Sequence, residues 1–140
     1  MPGKGGQIRQ VLYDTSIIIS YLRGKPDCKA NMEAVRTGKI VGFVSSVTVF
    51  ELYVGAFCAP NTSESLRDVR EIISWFQPPL SFDDSIAQKC AYLFAQLRKS
   101  NELIELRDLF IAATAIMFGL PICTLNRDHF KRVPTLKLTD

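Results

Sequence analysis

The chain has 140 residues and a formal net charge of +3, with 47% hydrophobic and 22% charged residues. This balance is typical of a protein that buries a core, and it excludes a disordered or fibrous chain. Because no apolar run is long enough to span a membrane and no secretory signal is visible, we expect one cytoplasmic domain over residues 1–140, with no membrane partner and with residues 1–7 flexible.

The first half of the chain alternates short apolar runs with helical segments. Apolar runs bounded by glycine or serine predict strands, and amphipathic segments ended by glycine or proline predict helices. In chain order, the predicted elements are a strand at 8–13, helices at 15–22 and 28–37, a strand at 40–45, and helices at 47–58 and from 62 to about 76.

The second half continues the alternation and determines the predicted fold class. The predicted elements are a strand at 80–82, helices at 83–99 and 107–118, a strand at 121–125 and an edge strand at 136–138. Because helices separate the main strands, crossover connections are required, and we expect an α/β fold whose mainly parallel sheet carries helices on both faces. Ligands bind such sheets at the carboxyl ends of the strands, so polar residues there are candidate site residues.

Asp14 and Asp108 are two carboxylates at such positions. Asp14 follows the first strand, where an aspartate is also a common N-cap of the next helix. Asp108 opens a helix that is apolar nearly all round, and a carboxylate in a first turn also interacts favourably with the helix dipole. Structural and functional roles therefore remain open for both residues.

Glu51 lies on the predicted helix 47–58. The residues expected to form the core face of that helix are Val47, Phe50, Val54 and Phe57. Glu51 falls along the same stripe, and burial of an unpaired carboxylate is costly. Glu51 therefore needs a cation nearby, which is either an arginine or lysine side chain or a metal ion.

A fourth candidate position follows the late strand. Asn126 and Asp128 lie just beyond residue 125, although such residues are also common turn formers. Carboxylates that converge from several strand ends repel one another unless a cation neutralises them. All-oxygen donors favour Mg²⁺ or Mn²⁺, whereas a single histidine and widely spaced cysteines make zinc or iron a poor match.

Three stretches of the chain resemble PIN-domain ribonucleases, and most closely the VapC-type toxins of toxin–antitoxin pairs. These stretches are LYDTSIIISYLRG, TVFELYVGA and RDLFIAATAIMFGLPICTLNRDHFKRVPTLKL. The resemblance implies a three-layer α/β/α sandwich with a four- to five-stranded sheet and Mg²⁺- or Mn²⁺-dependent cleavage of RNA. It also implies a homodimer and inhibition by a small VapB-like antitoxin whose tail enters the active-site groove.

The resemblance also implies roles for individual residues. The catalytic set falls on Asp14, Glu51, Asp108 and Asn126. The first three of these would hold the metal, while a neutral Asn126 would weaken a second metal site, so Asp128 is an alternative ligand. Thr15 and Thr124 are similar to the polar residues that support the site in the family.

The expected reaction is hydrolysis of an RNA phosphodiester by a metal-activated water. Because an acidic pocket repels RNA, basic residues must surround it, and the best candidates are Arg127, Lys131 and Arg132. Further candidates are Arg23, Lys25 and Arg107, and a solvated surface is the alternative for all of them. The expected RNA substrate is tRNA, rRNA or mRNA. The alternative function is a catalytically weak or inactive PIN-like module that binds RNA or protein.

Overall fold

A parallel sheet forms the centre of the protein, and the computed structural model describes residues 7–139 around it. Within these residues the sheet has three strands, β1 (Arg9–Tyr13), β2 (Ile40–Phe43) and β3 (Ile122–Cys123), in the order β2-β1-β3. Arg9 pairs with Ile40 and Leu12 with Ile122, and both pairings are parallel. The predicted flexibility of residues 1–7 concerns a segment of which residues 1–6 lie outside the described part of the chain.

The two predicted edge strands contribute single bridges to this sheet. Leu80 forms a parallel bridge with Ser45, and Leu138 forms one with Ile122. Backbone hydrogen bonds extend both contacts, since Ser46 N donates to the Leu80 carbonyl and Thr139 N to the Ile122 carbonyl. The α/β sandwich is therefore confirmed, with three strands and one bridged segment at each edge where four to five strands were expected.

Helices connect and cover the strands at nearly the predicted positions. They are α1 (Thr15–Leu22), α2 (Lys29–Arg36), α3 (Ser46–Phe57), α4 (Thr62–Ile73), α5 (Asp84–Lys99), α6 (Leu106–Phe118) and α7 (Arg127–Phe130), with a short 3-10 turn at Pro26–Cys28. The four-residue α7 was not predicted, because Asn126 before it and Asp128 within it indicated a turn. None of the helices within residues 7–139 is long and apolar enough to cross a membrane.

Local sequence signals determine where the helices begin and end. The side chains of Ser45, Asn61 and Asp83 each accept a hydrogen bond from a backbone N–H in the first turn of the helix that follows. Gly119 ends α6 with a φ of 66°, a left-handed conformation that favours glycine. These caps fix the ends of α3 and α6, and both helices carry residues of the site described below.

Two clusters of buried side chains lie on the opposite faces of the sheet. Val11 and Tyr13 of β1 belong to the cluster that includes Met32 and Ile72, which lie on α2 and α4. Leu12 belongs to the other cluster, with buried residues of α5 and α6 such as Leu97. Because successive side chains of a strand point to opposite faces, β1 contributes to both halves of the core.

The predicted core face of α3 is wrong. Phe50, Val54 and Phe57 are exposed to 62%, 45% and 64%, whereas the buried residues of this helix are Thr48, Leu52 and Ala56. Both sets repeat at helical spacing, so periodicity alone does not identify the buried side of a helix that is apolar on two sides. The smaller set packs inward, and the bulky apolar residues form an exposed face.

Candidate active site

An open cavity of about 310 Å³ lies where the strands end at their carboxyl edge. Its lining residues are Asp14, Thr15, Ser16, Ile19, Glu51, Asp108, Leu125 and Asn126. Residues predicted from four separate stretches of the chain therefore line one cavity. A larger cavity of about 510 Å³ near Trp75 contains Asp68, Glu71 and the further basic candidate Lys25, but none of the predicted catalytic or metal-binding residues.

Asp14 is held in place by two hydroxyl groups. It follows β1 and is buried, and its Oδ2 atom accepts hydrogen bonds of 2.7 Å from Ser16 Oγ and of 2.7 Å from Thr124 Oγ1. Although Asp14 precedes α1, its side chain turns to these hydroxyls and not to the helix backbone. The structure therefore places Thr124 in contact with Asp14, and its supporting role stays a prediction. Ser16 makes the same contact, and its place next to Thr15 in the sequence is the signal that could have identified it.

Glu51 faces the cavity from α3, and its side chain is 16% exposed. Its Oε1 atom accepts a 2.6 Å hydrogen bond from Thr15 Oγ1, and its Oε2 atom lies 2.9 Å from Nη1 of Arg107. Of the two partners left open for this carboxylate, the structure shows an arginine. Arg107 was predicted to contact RNA, and here its guanidinium is paired with an acidic residue of the cavity.

Asp108 lies in the first turn of α6 and is buried. Its Oδ2 atom is 3.0 Å from Asn126 Nδ2 and 3.0 Å from His129 Nδ1. Burial raises the pKa of Asp108, and the negative charge of Asp14 raises it further, while the hydrogen bond with His129 opposes the shift. His129 was considered only as a ligand for zinc or iron. Its spacing of three residues from Asn126, one helical turn, is the signal that could have placed it here.

Asn126 and Asp128 occupy very different environments. The backbone N–H of Asn126 donates to Thr124 Oγ1 at 2.8 Å, which holds Asn126 at the cavity. The Asp128 side chain is 84% exposed and lies 3.2 Å from Lys131 Nζ. Within residues 7–139, the cavity lining includes Asn126 but not Asp128, so of the two alternatives for the fourth position only Asn126 lies at the cavity.

The three basic residues predicted to bind RNA are exposed on and beside α7. Arg127 Nη1 donates to the carbonyl of Thr139 at 2.7 Å, and Arg132 Nη1 donates to the carbonyl of Leu103 at 3.2 Å. Lys131 is paired with Asp128. Each of the two arginines thus donates a hydrogen bond to a backbone carbonyl, and both residues are exposed.

The donor atoms of the cavity are of the type that hard divalent cations prefer. Three carboxylates and one amide line it, and burial together with the negative charge of Asp14 raises the pKa of Asp108, a shift that a nearby cation would oppose. In the part of the chain that the structure describes, however, no three His, Cys, Asp or Glu side chains are close enough to form a ready metal cluster. The donor chemistry fits Mg²⁺ or Mn²⁺, although Glu51 is paired with Arg107 and Asp108 Oδ2 with Asn126 and His129.

Comparison of the sequence with known proteins gives a consistent result. Residues 11–136 match the PIN domain family. Ribonuclease VapC of Rickettsia bellii is 32% identical over 131 residues, which are 91% of this chain and 93% of that protein. Ribonuclease VapC4 of Mycobacterium tuberculosis is 30% identical over 126 residues, which are 87% of this chain and 90% of that protein.

Comparison of the fold leads to the same group of proteins. A DNA-bound VapBC from Salmonella typhimurium superimposes with a TM-score of 0.83 and 25% identity, covering 96% of this chain and 98% of the other. VapBC2 from Rickettsia felis, bound to a DNA fragment from its promoter, has a TM-score of 0.83 at 22% identity, covering 93% and 97%. The second likeness concerns the fold alone.

Proposed function

Because the chain belongs to the PIN-domain family and resembles its VapC ribonucleases over nearly the whole length, we propose that it is a metal-dependent endoribonuclease. We propose that it hydrolyses RNA phosphodiesters with Mg²⁺ or Mn²⁺ and is the toxin of a VapBC-type pair, acting as a single domain. The observation that carries the proposal is the convergence of Asp14, Glu51, Asp108 and Asn126 on one cavity.

Each residue of the cavity has a separate role in this proposal. Asp14, Glu51 and Asp108 would hold the divalent cation directly or through water, and Asn126 would add a neutral oxygen. A bound Mg²⁺ or Mn²⁺ lowers the pKa of a water molecule and stabilises negative charge on phosphoryl oxygens. Thr124 and Ser16 orient Asp14 through its Oδ2 atom, and Thr15 orients Glu51.

RNA would reach the cavity across α7. Arg127, Lys131 and Arg132 supply positive charge next to Asn126, which offsets the repulsion between phosphates and the acidic cavity. Each phosphate contact releases about one counterion, so affinity should fall as salt concentration rises. In a plot of log affinity against log salt concentration, each contact should add about −0.9 to the slope for a duplex and about −0.7 for a single strand. A salt-independent affinity for tRNA, rRNA or mRNA fragments would contradict this role.

A groove next to the cavity suits the antitoxin segment. This groove of about 320 Å³ shares Ile19 and Glu51 with the active-site cavity. Its apolar lining includes Leu22, Leu52 and Val69. We propose that a VapB-like antitoxin lays an apolar segment in the groove and that its tail enters the cavity, where it competes with RNA.

The exposed apolar face of α3 supports the proposed homodimer. Phe50, Val54 and Phe57 leave a contiguous row of large apolar side chains in water, which soluble proteins seldom expose without a partner. A second copy of the chain would cover this row. Sedimentation of the protein alone should give a dimer, and Phe57→Glu should give a folded monomer.

The function is tested by incubating purified protein with tRNA and rRNA in the presence of Mg²⁺ or Mn²⁺. Asp14→Asn and EDTA should each abolish cleavage, because both remove the cation from the cavity. Asp27→Asn is the matched control, since it makes the same charge change at an exposed residue of the 3-10 turn and should keep full activity. Cleavage that persists in EDTA would contradict the metal-dependent mechanism.

One observation favours the alternative of a weak or inactive module that binds RNA or protein. The Glu51 carboxylate is already neutralised by Arg107, so its charge does not require a metal ion. If folded, dimeric protein free of antitoxin binds RNA but cuts no RNA with either ion, this alternative replaces the ribonuclease.

A further inference from the structure

His129, Asp108 and Asn126 form a triangle of polar atoms at the edge of the cavity. Asp108 Oδ2 lies 3.0 Å from both Asn126 Nδ2 and His129 Nδ1, and these two nitrogens are 2.8 Å apart. The His129 side chain is 32% exposed, and the residue is the only histidine of the chain. Each atom of the triangle is thus within hydrogen-bond distance of both others.

While Asp108 is ionised and the amide nitrogen of Asn126 lies inside the triangle, the hydrogen bonds cannot all be satisfied. If His129 Nδ1 carries a hydrogen and donates it to Asp108, the two nitrogens that face each other are both donors. If Nδ1 instead carries a lone pair and accepts from Asn126, it opposes the Asp108 oxygen, which is also an acceptor. One of the three contacts is unfavourable in either tautomer.

A half-turn of the Asn126 amide removes this conflict and creates another. With Oδ1 in the place of Nδ2, a hydrogen on His129 Nδ1 faces two acceptors, the amide oxygen and the Asp108 carboxylate. These two oxygens then face each other without a hydrogen between them. Their repulsion is relieved when a cation lies against both of them.

We propose that His129 is a positioning residue that determines which end of the Asn126 amide faces the cavity. The Nδ1–H group donates to Asp108 Oδ2, and as its second neighbour it favours the Asn126 amide oxygen, an acceptor, over the NH₂ group, a donor. A divalent cation in the cavity and the His129 Nδ1–H group therefore both favour the orientation in which Asn126 Oδ1 takes the place of Nδ2. This inference rests on the proposed metal-dependent function, and it explains how a neutral asparagine supplies an oxygen ligand.

The single histidine makes the inference measurable by nitrogen NMR. The protein is labelled with ¹⁵N, purified without a histidine tag, and recorded at one near-neutral pH before and after addition of Mg²⁺. With Mg²⁺ bound, the imidazole should carry a hydrogen on Nδ1, and the side-chain NH₂ signal of Asn126 should shift. If Mg²⁺ moves the Asp14 and Asp108 amide signals while the imidazole keeps its hydrogen on Nε2 alone, the inference is overturned and the proposed metal site stands.

Two substitutions separate hydrogen bonding from packing. His129→Phe keeps the bulk of the ring without a donor, and we expect it to weaken Mg²⁺ binding about 10- to 100-fold, as loss of a group that orients a metal ligand commonly does. His129→Asn returns a donor near the Nδ1 position and should restore most of the affinity. Calorimetry with Mg²⁺ measures both, and circular dichroism verifies that the variants are folded.

For His129→Phe, we expect kcat to fall at limiting Mg²⁺ while the KM for RNA stays unchanged. Equal Mg²⁺ affinity in wild type, His129→Phe and His129→Asn overturns the inference. Wild-type protein that binds no Mg²⁺ at all overturns both the inference and the proposed metal-dependent function, so the two failures are distinguishable.

Discussion

Nη1 of Arg107 lies 2.9 Å from Oε2 of Glu51, while the next residue in the chain, Asp108, faces the same cavity. Two consecutive residues therefore act on the candidate site: Asp108 supplies a carboxylate, and Arg107 neutralises the carboxylate of Glu51. The Arg107 side chain is 57% exposed, so it can leave the pair without breaking the core.

Arg107 and a divalent cation should compete for Glu51. Arg107→Gln is expected to tighten Mg²⁺ binding up to about fivefold, because partly exposed ion pairs contribute on the order of 1 kcal/mol or less. Calorimetry with Mg²⁺ measures the change. Arg36→Gln removes the same charge from an exposed pair with Glu33 and should leave the affinity unchanged. Weaker binding by Arg107→Gln would mean that Arg107 orients Glu51 and does not compete for it.

Thr124→Val tests the hydroxyl that joins Asp14 to Asn126. The variant leaves Asp14 Oδ2 and the Asn126 N–H each without one hydrogen bond, and we expect a loss of about 1–3 kcal/mol in unfolding free energy. Metal affinity and cleavage should fall about 10- to 100-fold. Thr114→Val is the matched control, because Thr114 is also buried and, within residues 7–139, its hydroxyl bonds only to the Phe110 carbonyl. Equal activities of the two variants would exclude a supporting role for Thr124.

Asp108 should make stability depend on pH in a defined direction. Burial raises the pKa of Asp108 from its ordinary value of 3.8, so the folded state binds this proton more tightly than the unfolded chain. The unfolding free energy should therefore fall as pH rises from the ordinary pKa of 3.8 through the raised pKa of the folded state. Asp108→Asn removes the titrating group, so its unfolding free energy should lack the contribution of Asp108 to this fall. Denaturation in EDTA at a series of pH values measures the difference between the two proteins. A difference that grows in favour of wild type with rising pH would refute the assignment.

Substitution should lower cleavage strongly at Asn126 and hardly at Asp128. Asp128→Asn changes an exposed residue paired only with Lys131, so cleavage should stay within about twofold and stability within about 0.5 kcal/mol. Asn126→Ala removes an amide of the cavity and should lower cleavage by tenfold or more. Single-turnover assays at fixed Mg²⁺ compare the two. A large loss with Asp128→Asn would return that residue to the site.

Gly42 should not tolerate a side chain in the middle of β2. A Cβ atom there would lie 2.9 Å from a ring carbon of Phe76 and 2.9 Å from Cγ1 of Val35, so Gly42→Ala should cost about 1–3 kcal/mol of unfolding free energy. In the described part of the chain nothing lies within 4 Å of a Cβ built at Gly55, which is in α3. Gly55→Ala should therefore stabilise the protein by about 0.5–1 kcal/mol. Chemical denaturation measures both, and a neutral Gly42→Ala would show that Phe76 and Val35 move at no cost.

The sequence predicts the elements of this fold better than the faces of its helices. Strand β2 and helix α5 have glycine, serine or aspartate at their boundaries, and these residues determine local geometry whatever packs against them. Which side of α3 is buried depends on neighbouring helices, and the choice of Leu52 over Phe50 is a property of the packed state. The short α7 carries too few residues for a periodic pattern.

Similar reasoning separates the site residues that were predicted from those that were not. Asp14 and Asp108 follow from their positions at a strand end and a helix start, so topology alone brings them to one edge of the sheet. The pairing of Glu51 with Arg107 and the contact of His129 with Asp108 depend on side-chain directions in space. No spacing rule along the chain encodes those directions.

The hydrogen bond between Thr124 and Asp14 joins residues 110 positions apart. Synthesis adds residues in chain order, so Thr124 and Asn126 are added more than 100 residues after Asp14. The central strand β1 therefore pairs with β3 only after nearly all of the described chain has been made. A chain whose translation stops before β3 has the carboxylates of Asp14, Glu51 and Asp108 but lacks the Thr124 hydroxyl and the Asn126 amide. For a protein proposed to cut RNA, we therefore expect a chain that lacks β3 and the residues after it to be inactive.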